Sequence, residues 1–140
     1  MWDAYNLRMK TLLKMMSVAF MAIVFTACSS NNPESVAVDF TEAVYTGHLE
    51  KAKSYCTERG EKTMAMLSKM LESRIDMMKD TDPEVKVIEC EVSEDGESAK
   101  VKVEVSKFLD GNDGEISDKP KNETVRLKKV DGDWKVEFSK

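Results

Sequence analysis

Ala99-Lys100-Val101-Lys102-Val103-Glu104-Val105 alternates apolar residues with charges at a period of two. That alternation puts every apolar side chain on one face and every charge on the other, so the stretch reads as a half-buried β-strand. Upstream, Ile88, Cys90 and Val92 alternate with Glu89 and Glu91, while Val85 and Val87 have the opposite parity and hint at a bulge or twist. Glu94-Asp95-Gly96-Glu97 is the turn joining the two strands. Downstream, the polar run from Asp110 to Asn122 reads as a long exposed loop, and Val125 and Leu127 begin another strand. Asp131-Gly132 is a two-residue hairpin turn, after which Trp134, Val136 and Phe138 alternate to the end.

Ahead of these strands the period is helical. Asn32-Pro33-Glu34 supplies an N-cap, a proline at the first helical position and a carboxylate in the first turn. Val36, Phe40 and Val44, with Ala37 and Ala43 beside them, make the buried stripe, and Gly47 ends the helix. A short second helix is expected from His48 to Cys56, with Leu49, Ala52 and Cys56 on one side. A third fits Glu61 to Lys79, where Met64, Leu67, Leu71, Ile75 and Met78 fall at steps of three and four with Met70 alongside; Pro83 stops it. Helices followed by a four-stranded antiparallel meander predict an α+β domain with the N-terminal helices packed on one face of a curved sheet.

The N-terminal region has another purpose. Lys10 and Lys14 precede the uncharged run Met15 to Ala27, which ends in small residues, the pattern of an export signal. As a helix it would span about 20 Å, short of the roughly 30 Å hydrocarbon core. Phe25-Thr26-Ala27-Cys28 resembles the lipobox of bacterial lipoproteins, in which the cysteine is diacylated and becomes the new N-terminus. Ala27 and Cys28 match that pattern closely; Phe25 and Thr26 depart from it. The expected organisation is a signal peptide over 1–27, a lipidated tether over 28–32 and the α+β domain over 33–140. The opening MWDAYNLR (1–8) looks like a start codon placed too far upstream. Ser29, and the lack of an acidic cluster after Cys28, point to the periplasmic face of the outer membrane.

The chain carries a formal charge of −5, and loss of 1–27 removes more positive than negative charge. An acidic domain with interspersed charges argues against nucleic acid and against anionic headgroups as partners. With Cys28 acylated, Cys56 and Cys90 remain in an oxidising compartment as a candidate disulfide or as two free thiols.

An amphipathic helix after a tether, the Gly-ended turn into Leu49-Glu50-Lys51-Ala52, and the closing Leu127…Gly132-Asp133-Trp134-Lys135-Val136 hairpin resemble the nuclear-transport-factor-2-like (NTF2-like, cystatin-like) cone. More narrowly, they resemble bacterial lipoproteins carrying the domain of unknown function 4878, over residues 33–139. The resemblance implies fold and anchoring rather than an activity.

Enzymes on this cone, such as ketosteroid isomerases, hold an Asp, His or Tyr inside the cavity. The presumed inward positions Ala99, Val101, Val103, Val105, Trp134, Val136 and Phe138 include no acid and no imidazole. His48 falls at a helix junction where exposure is expected, and Tyr45 and Tyr55 are the residues within reach of a cavity. Asp110-Gly111-Asn112-Asp113-Gly114 lacks the ligand spacing of a calcium loop, and Cys56, Cys90 and His48 make no zinc set. No metal and no cofactor are expected. The methionine-rich third helix facing the sheet suggests an apolar cleft lined by Met64, Leu67, Met70, Leu71, Val101, Val103 and Trp134, since Met adapts to greasy ligands. The expected function is therefore a non-catalytic binding or accessory domain on a membrane-anchored lipoprotein, its partner a small apolar ligand or an envelope protein. The alternatives are a cone-type enzyme with an unplaced base and a purely structural lipoprotein.

Overall fold

The computed structural model describes residues 31–111 and 114–138. The expected signal peptide, Cys28 and most of the expected tether lie outside those residues. Among them, no helix is long and apolar enough to cross a membrane.

Helix α1 (Pro33–Tyr45) starts where Asn32 accepts a hydrogen bond from the Ser35 N–H at 2.8 Å. It buries Val36, Ala37, Phe40 and Ala43. It ends in a Schellman closure: the His48 N–H donates to the Ala43 carbonyl at 2.9 Å, with Gly47 at φ +73°. A Cβ at Gly47 would lie 3.0 Å from the Ile75 carbonyl oxygen, so glycine also permits close helix approach there. Helices α2 (Leu49–Ser54), α3 (Glu58–Leu71) and α4 (Ile75–Lys79) follow.

The single helix predicted over 61–79 is thus two. No Gly or Pro marks the break at Glu72-Ser73-Arg74. Its consequence is tertiary, because α4 brings Ile75 and Met78 against Gly47.

Strands β1 (Glu84–Val92), β2 (Ser98–Ser106), β5 (Lys121–Val130) and β6 (Asp133–Val136) form an antiparallel sheet in the order β1-β2-β5-β6. The predicted loop over 110–122 is shorter than expected: it holds a two-stranded ribbon of β3 (Leu109–Asp110) and β4 (Glu115–Ile116), and β5 begins at Lys121. The parity conflict in β1 is resolved by a bulge between Val87 and Glu89. Val85 and Val87 pair with Val105 and Val103, Cys90 and Val92 with Val101 and Ala99. Ile88, predicted to share the face of Cys90, is the unpaired extra residue and is exposed. One inserted residue therefore keeps both halves of the strand facing the core.

Helix α1 covers this inner face, contacting all four strands. Val101, Val103 and Val105 beneath it have no solvent exposure. Phe40 meets Phe138 edge-on with ring centroids 6.1 Å apart.

Cys56 and Cys90 are both free, so the candidate disulfide is not formed. Cys56 bridges to Val136 beside β6, and Cys90 lies on β1 at the opposite sheet edge. Four interstrand steps of about 4.8 Å separate them along the sheet, against the roughly 7 Å Cα limit of a disulfide.

Candidate functional site

The seven residues predicted to line a cleft do not share one surface. Met64, Val101, Val103 and Trp134 are buried core residues, and Leu67 and Leu71 pack half-buried at the margin. Met70 is 77% exposed. It lies six residues past Met64, which rotates it by about 120° away from the buried stripe of α3. The helix that lies over the sheet is α1, and α3 packs mainly against α2.

Polar groups instead gather where α1 ends. Continuing the β5 alternation back from Leu127 and Val125 places Glu123 and Lys121 on the inner face, with Glu123 opposite Val103. The Tyr45 hydroxyl, carried on the last turn of α1, donates to Glu123 Oε1. Lys121 Nζ lies 3.0 Å from that same oxygen. The ring of Tyr45 packs edge-on against Phe108 at 5.4 Å, and its carbonyl accepts from the Thr81 hydroxyl at 3.5 Å.

Burial first, then the hydrogen bond to Glu123 and its charge, hold the Tyr45 phenol well above its ordinary range. Tyr45 is therefore a fixed proton donor near neutral pH, and two donors converge on one carboxylate oxygen. Glu123 is the carboxylate that sequence reading missed. Beginning the strand at Val125 hid it, and the signal that would have found it is the period of two running back to Lys121.

The remaining candidates are dispersed. His48 is exposed, and its Nδ1 lies 2.8 Å from the Thr46 hydroxyl, in a shallow groove of about 260 Å³ with Glu42, Lys51 and Asp82. Tyr55 is half-buried at the core margin. The Cys56 thiol, pushed up to about 12 by burial and then by the Glu61 charge, donates to the Ala52 carbonyl at 3.4 Å. Burial, with a smaller contribution from Glu34, also raises Cys90. Among the described residues no group of three His, Cys, Asp or Glu side chains is placed to hold a metal ion.

Two further grooves are lined in part by outward-facing residues of the sheet. One, of about 430 Å³, is lined by Glu91, Lys100, Arg126 and Glu137 among others. The other, of about 360 Å³, lies between the start of α3 and β5, with Arg59, Lys62, Lys128 and Val130, and shares Glu137 with the first.

The sequence profile of the domain of unknown function DUF4878 matches residues 26–137. The chain belongs to the DUF4878 family. Among solved structures, this DUF4878 chain is similar to a Campylobacter jejuni protein provisionally named an NTF2-like transpeptidase. The two are 24% identical with a TM-score of 0.54, over 77% of this chain and 99% of the other. A Xanthomonas campestris protein, provisionally named a calcium/calmodulin-dependent protein kinase II association domain, is 16% identical with a TM-score of 0.44, over 69% of this chain and 74% of the other. No curated protein matches. The DUF4878 domain therefore has an NTF2-like α+β fold, as the order of its elements predicts.

Proposed function

We propose that this DUF4878 protein is a lipoprotein held at the cell envelope through Cys28, whose domain acts by surface binding rather than by catalysis. The reading is carried by the packing of the sheet's inner face. Val101, Val103 and Val105 are sealed under α1 by the domain's own side chains, where a cone enzyme keeps a substrate chamber. Glu123, the carboxylate on that face, is braced by Tyr45 and Lys121. Anchoring is supported by the apolar run ending in Ala27-Cys28 and by the polar residues after it. Two acyl chains at Cys28 would give stable attachment.

The test has two arms. Radiolabelled palmitate should enter the wild-type protein and not Cys28→Ala, and the variant should leave the membrane fraction; label persisting on the variant refutes the anchor. Native mass spectrometry of the detergent-extracted protein should give the polypeptide plus acyl chains. A stoichiometric small molecule retained in addition refutes the closed inner face.

A further inference from the structure

The domain's net negative charge hides a segregation. On the outer face of β5, Arg126, Lys128 and Val130 follow one another, and Val130 is 39% exposed. Register sets Lys100 of β2 directly opposite Arg126, and Lys135 of β6 directly opposite Lys128. Like charges facing each other across strands destabilise a sheet unless something compensates. Arg59 and Lys62 of α3 reach the same flank, lining the groove with Lys128 and Val130. Glu91 of β1 stands directly opposite Lys100, and Glu137 and Glu58 border the grooves; among the described residues none of them lies within ion-pair distance of these cations.

This flank adjoins the point where the chain enters the domain. The side-chain oxygen of Asn31 accepts from the Trp134 N–H at 2.8 Å, and Trp134 pairs with Lys129, between Lys128 and Val130. Three residue steps separate Asn31 from Cys28, a reach of at most about 11 Å. That is close to the Debye length near physiological salt, about 8–10 Å, so charges beside Asn31 would lie within the surface potential of an anionic leaflet.

The turns at this pole are acidic, with Glu94, Asp95 and Glu97 in one and Asp131 and Asp133 around the other. Standing on its tip would press these carboxylates against the headgroups. Lying on the outer flank brings the cations down and turns Glu94, Asp95 and Asp131 of the turns aside, while Asp133, opposite Val130, stays at the edge of the flank.

Resting on the lipoprotein reading above, we propose that the flank formed by Arg59, Lys62, Lys100, Arg126, Lys128 and Lys135 docks on the phosphate headgroups of the bilayer that holds the anchor. The tether supplies proximity and the cations select the face. The Tyr45–Glu123 pair, at the other end of both α1 and β5, is carried away from the docked pole by about 20 Å of helix.

The test is lysine acetylation of the acylated full-length protein on vesicles of phosphatidylglycerol or of phosphatidylcholine alone, read site by site by mass spectrometry. Lys62, Lys128 and Lys135 should react about fivefold more slowly on phosphatidylglycerol, and 1 M salt should remove the difference. Lys51 of α2, and Lys107 beyond the far end of β2, should be unaffected. Replacing Lys128 and Lys135 together by Gln should abolish protection at Lys62, with an unchanged circular dichroism spectrum showing that the fold persists; the lipid exchange itself needs no variant. Equal rates in the two lipids on acylated, vesicle-bound protein would overturn the docking while leaving the anchor intact. Protein that carries no acyl chain would overturn both. Protection in intact envelopes but not on vesicles would overturn the lipid in favour of an acidic macromolecule.

Discussion

Replacing Tyr45 by Phe removes one hydroxyl and keeps the ring that meets Phe108 at 5.4 Å. What is lost is a hydrogen bond to a charged carboxylate, worth roughly 1.5–3 kcal/mol in a buried setting. The Glu123 side chain is 33% exposed and keeps Lys121 at 3.0 Å, so water and the ammonium make up part of the loss. The expected destabilisation is about 1–2 kcal/mol, a fall in Tm of roughly 4–10 °C for a domain of this size.

The pH dependence tests whether the hydroxyl is buried and bonded in the folded state, as distinct from the packing of the ring. The folded-state phenol titrates above its unfolded value, with burial the main cause. The unfolded chain therefore releases its proton first, so Tyr45's contribution is complete below about pH 10 and is lost as pH rises beyond it. The stability gap between wild type and Tyr45→Phe should stay constant from pH 6 to 9. It should narrow above pH 10 by at most about 1.4 kcal/mol per unit, less because the ring is only half-buried. Urea unfolding followed by far-ultraviolet circular dichroism from pH 6 to 11 measures both quantities. A variant within 0.5 kcal/mol of wild type, taking ~0.5 as the usual scatter of neutral substitutions, or a gap that ignores pH, would refute the reasoning.

The other predictions concern packing and thiols. Met64→Ala empties a fully buried position and should cost about 2–5 kcal/mol, whereas Met70→Ala, on the exposed face of the same helix, should stay within about 0.5 kcal/mol; equal effects in thermal denaturation would contradict the assigned helix face. Gly60→Ala should destabilise by about 1–2 kcal/mol despite the better helix propensity of Ala, because its Cβ would sit 3.0 Å from both Cys56 Cβ and the Val136 carbonyl. A more stable variant would show that α3 can shift away from β6. Reductant should leave the Tm unchanged, and a maleimide at pH 8 should modify Cys90 well before Cys56, whose thiol is buried and pushed up to about 12. Faster labelling of Cys56 would sink the burial argument.

How much was legible in the sequence depended on whether the governing force was local. Asn32-Pro33 and Gly47 fix the ends of α1 through backbone chemistry that needs no partner, and both act as the sequence predicts. The β2 alternation and the Asp131-Gly132 turn fixed register in the same way, with Asp131 and Gly132 both at positive φ as their hairpin requires. Even the β1 bulge was visible as a parity conflict, although which residue would be extruded was not. Glu123 was missed for a local reason too: a charged residue at a strand's start breaks the apolar pattern by which strands are recognised.

Other features belonged to the tertiary structure alone. Met64, Leu67 and Leu71 of α3 pack as their spacing predicts while Met70, read alongside them, faces solvent; periodicity says which face is buried and not what lies against it. That α1 rather than α3 seals the sheet, and that α3 breaks before Ile75, follow from how the helices pack around Gly47 and β6. Two cysteines look alike in a sequence, and only strand order put them on opposite edges. Net charge is a sum, so it could not reveal that cross-strand register gathers cations on the outer flank beside Asn31. The sequence by itself determined the main helices and strands and their order, because these rest on contacts between near neighbours. Which surfaces close and which stay open was decided by residues distant in the chain, and that pairing exists only in the fold.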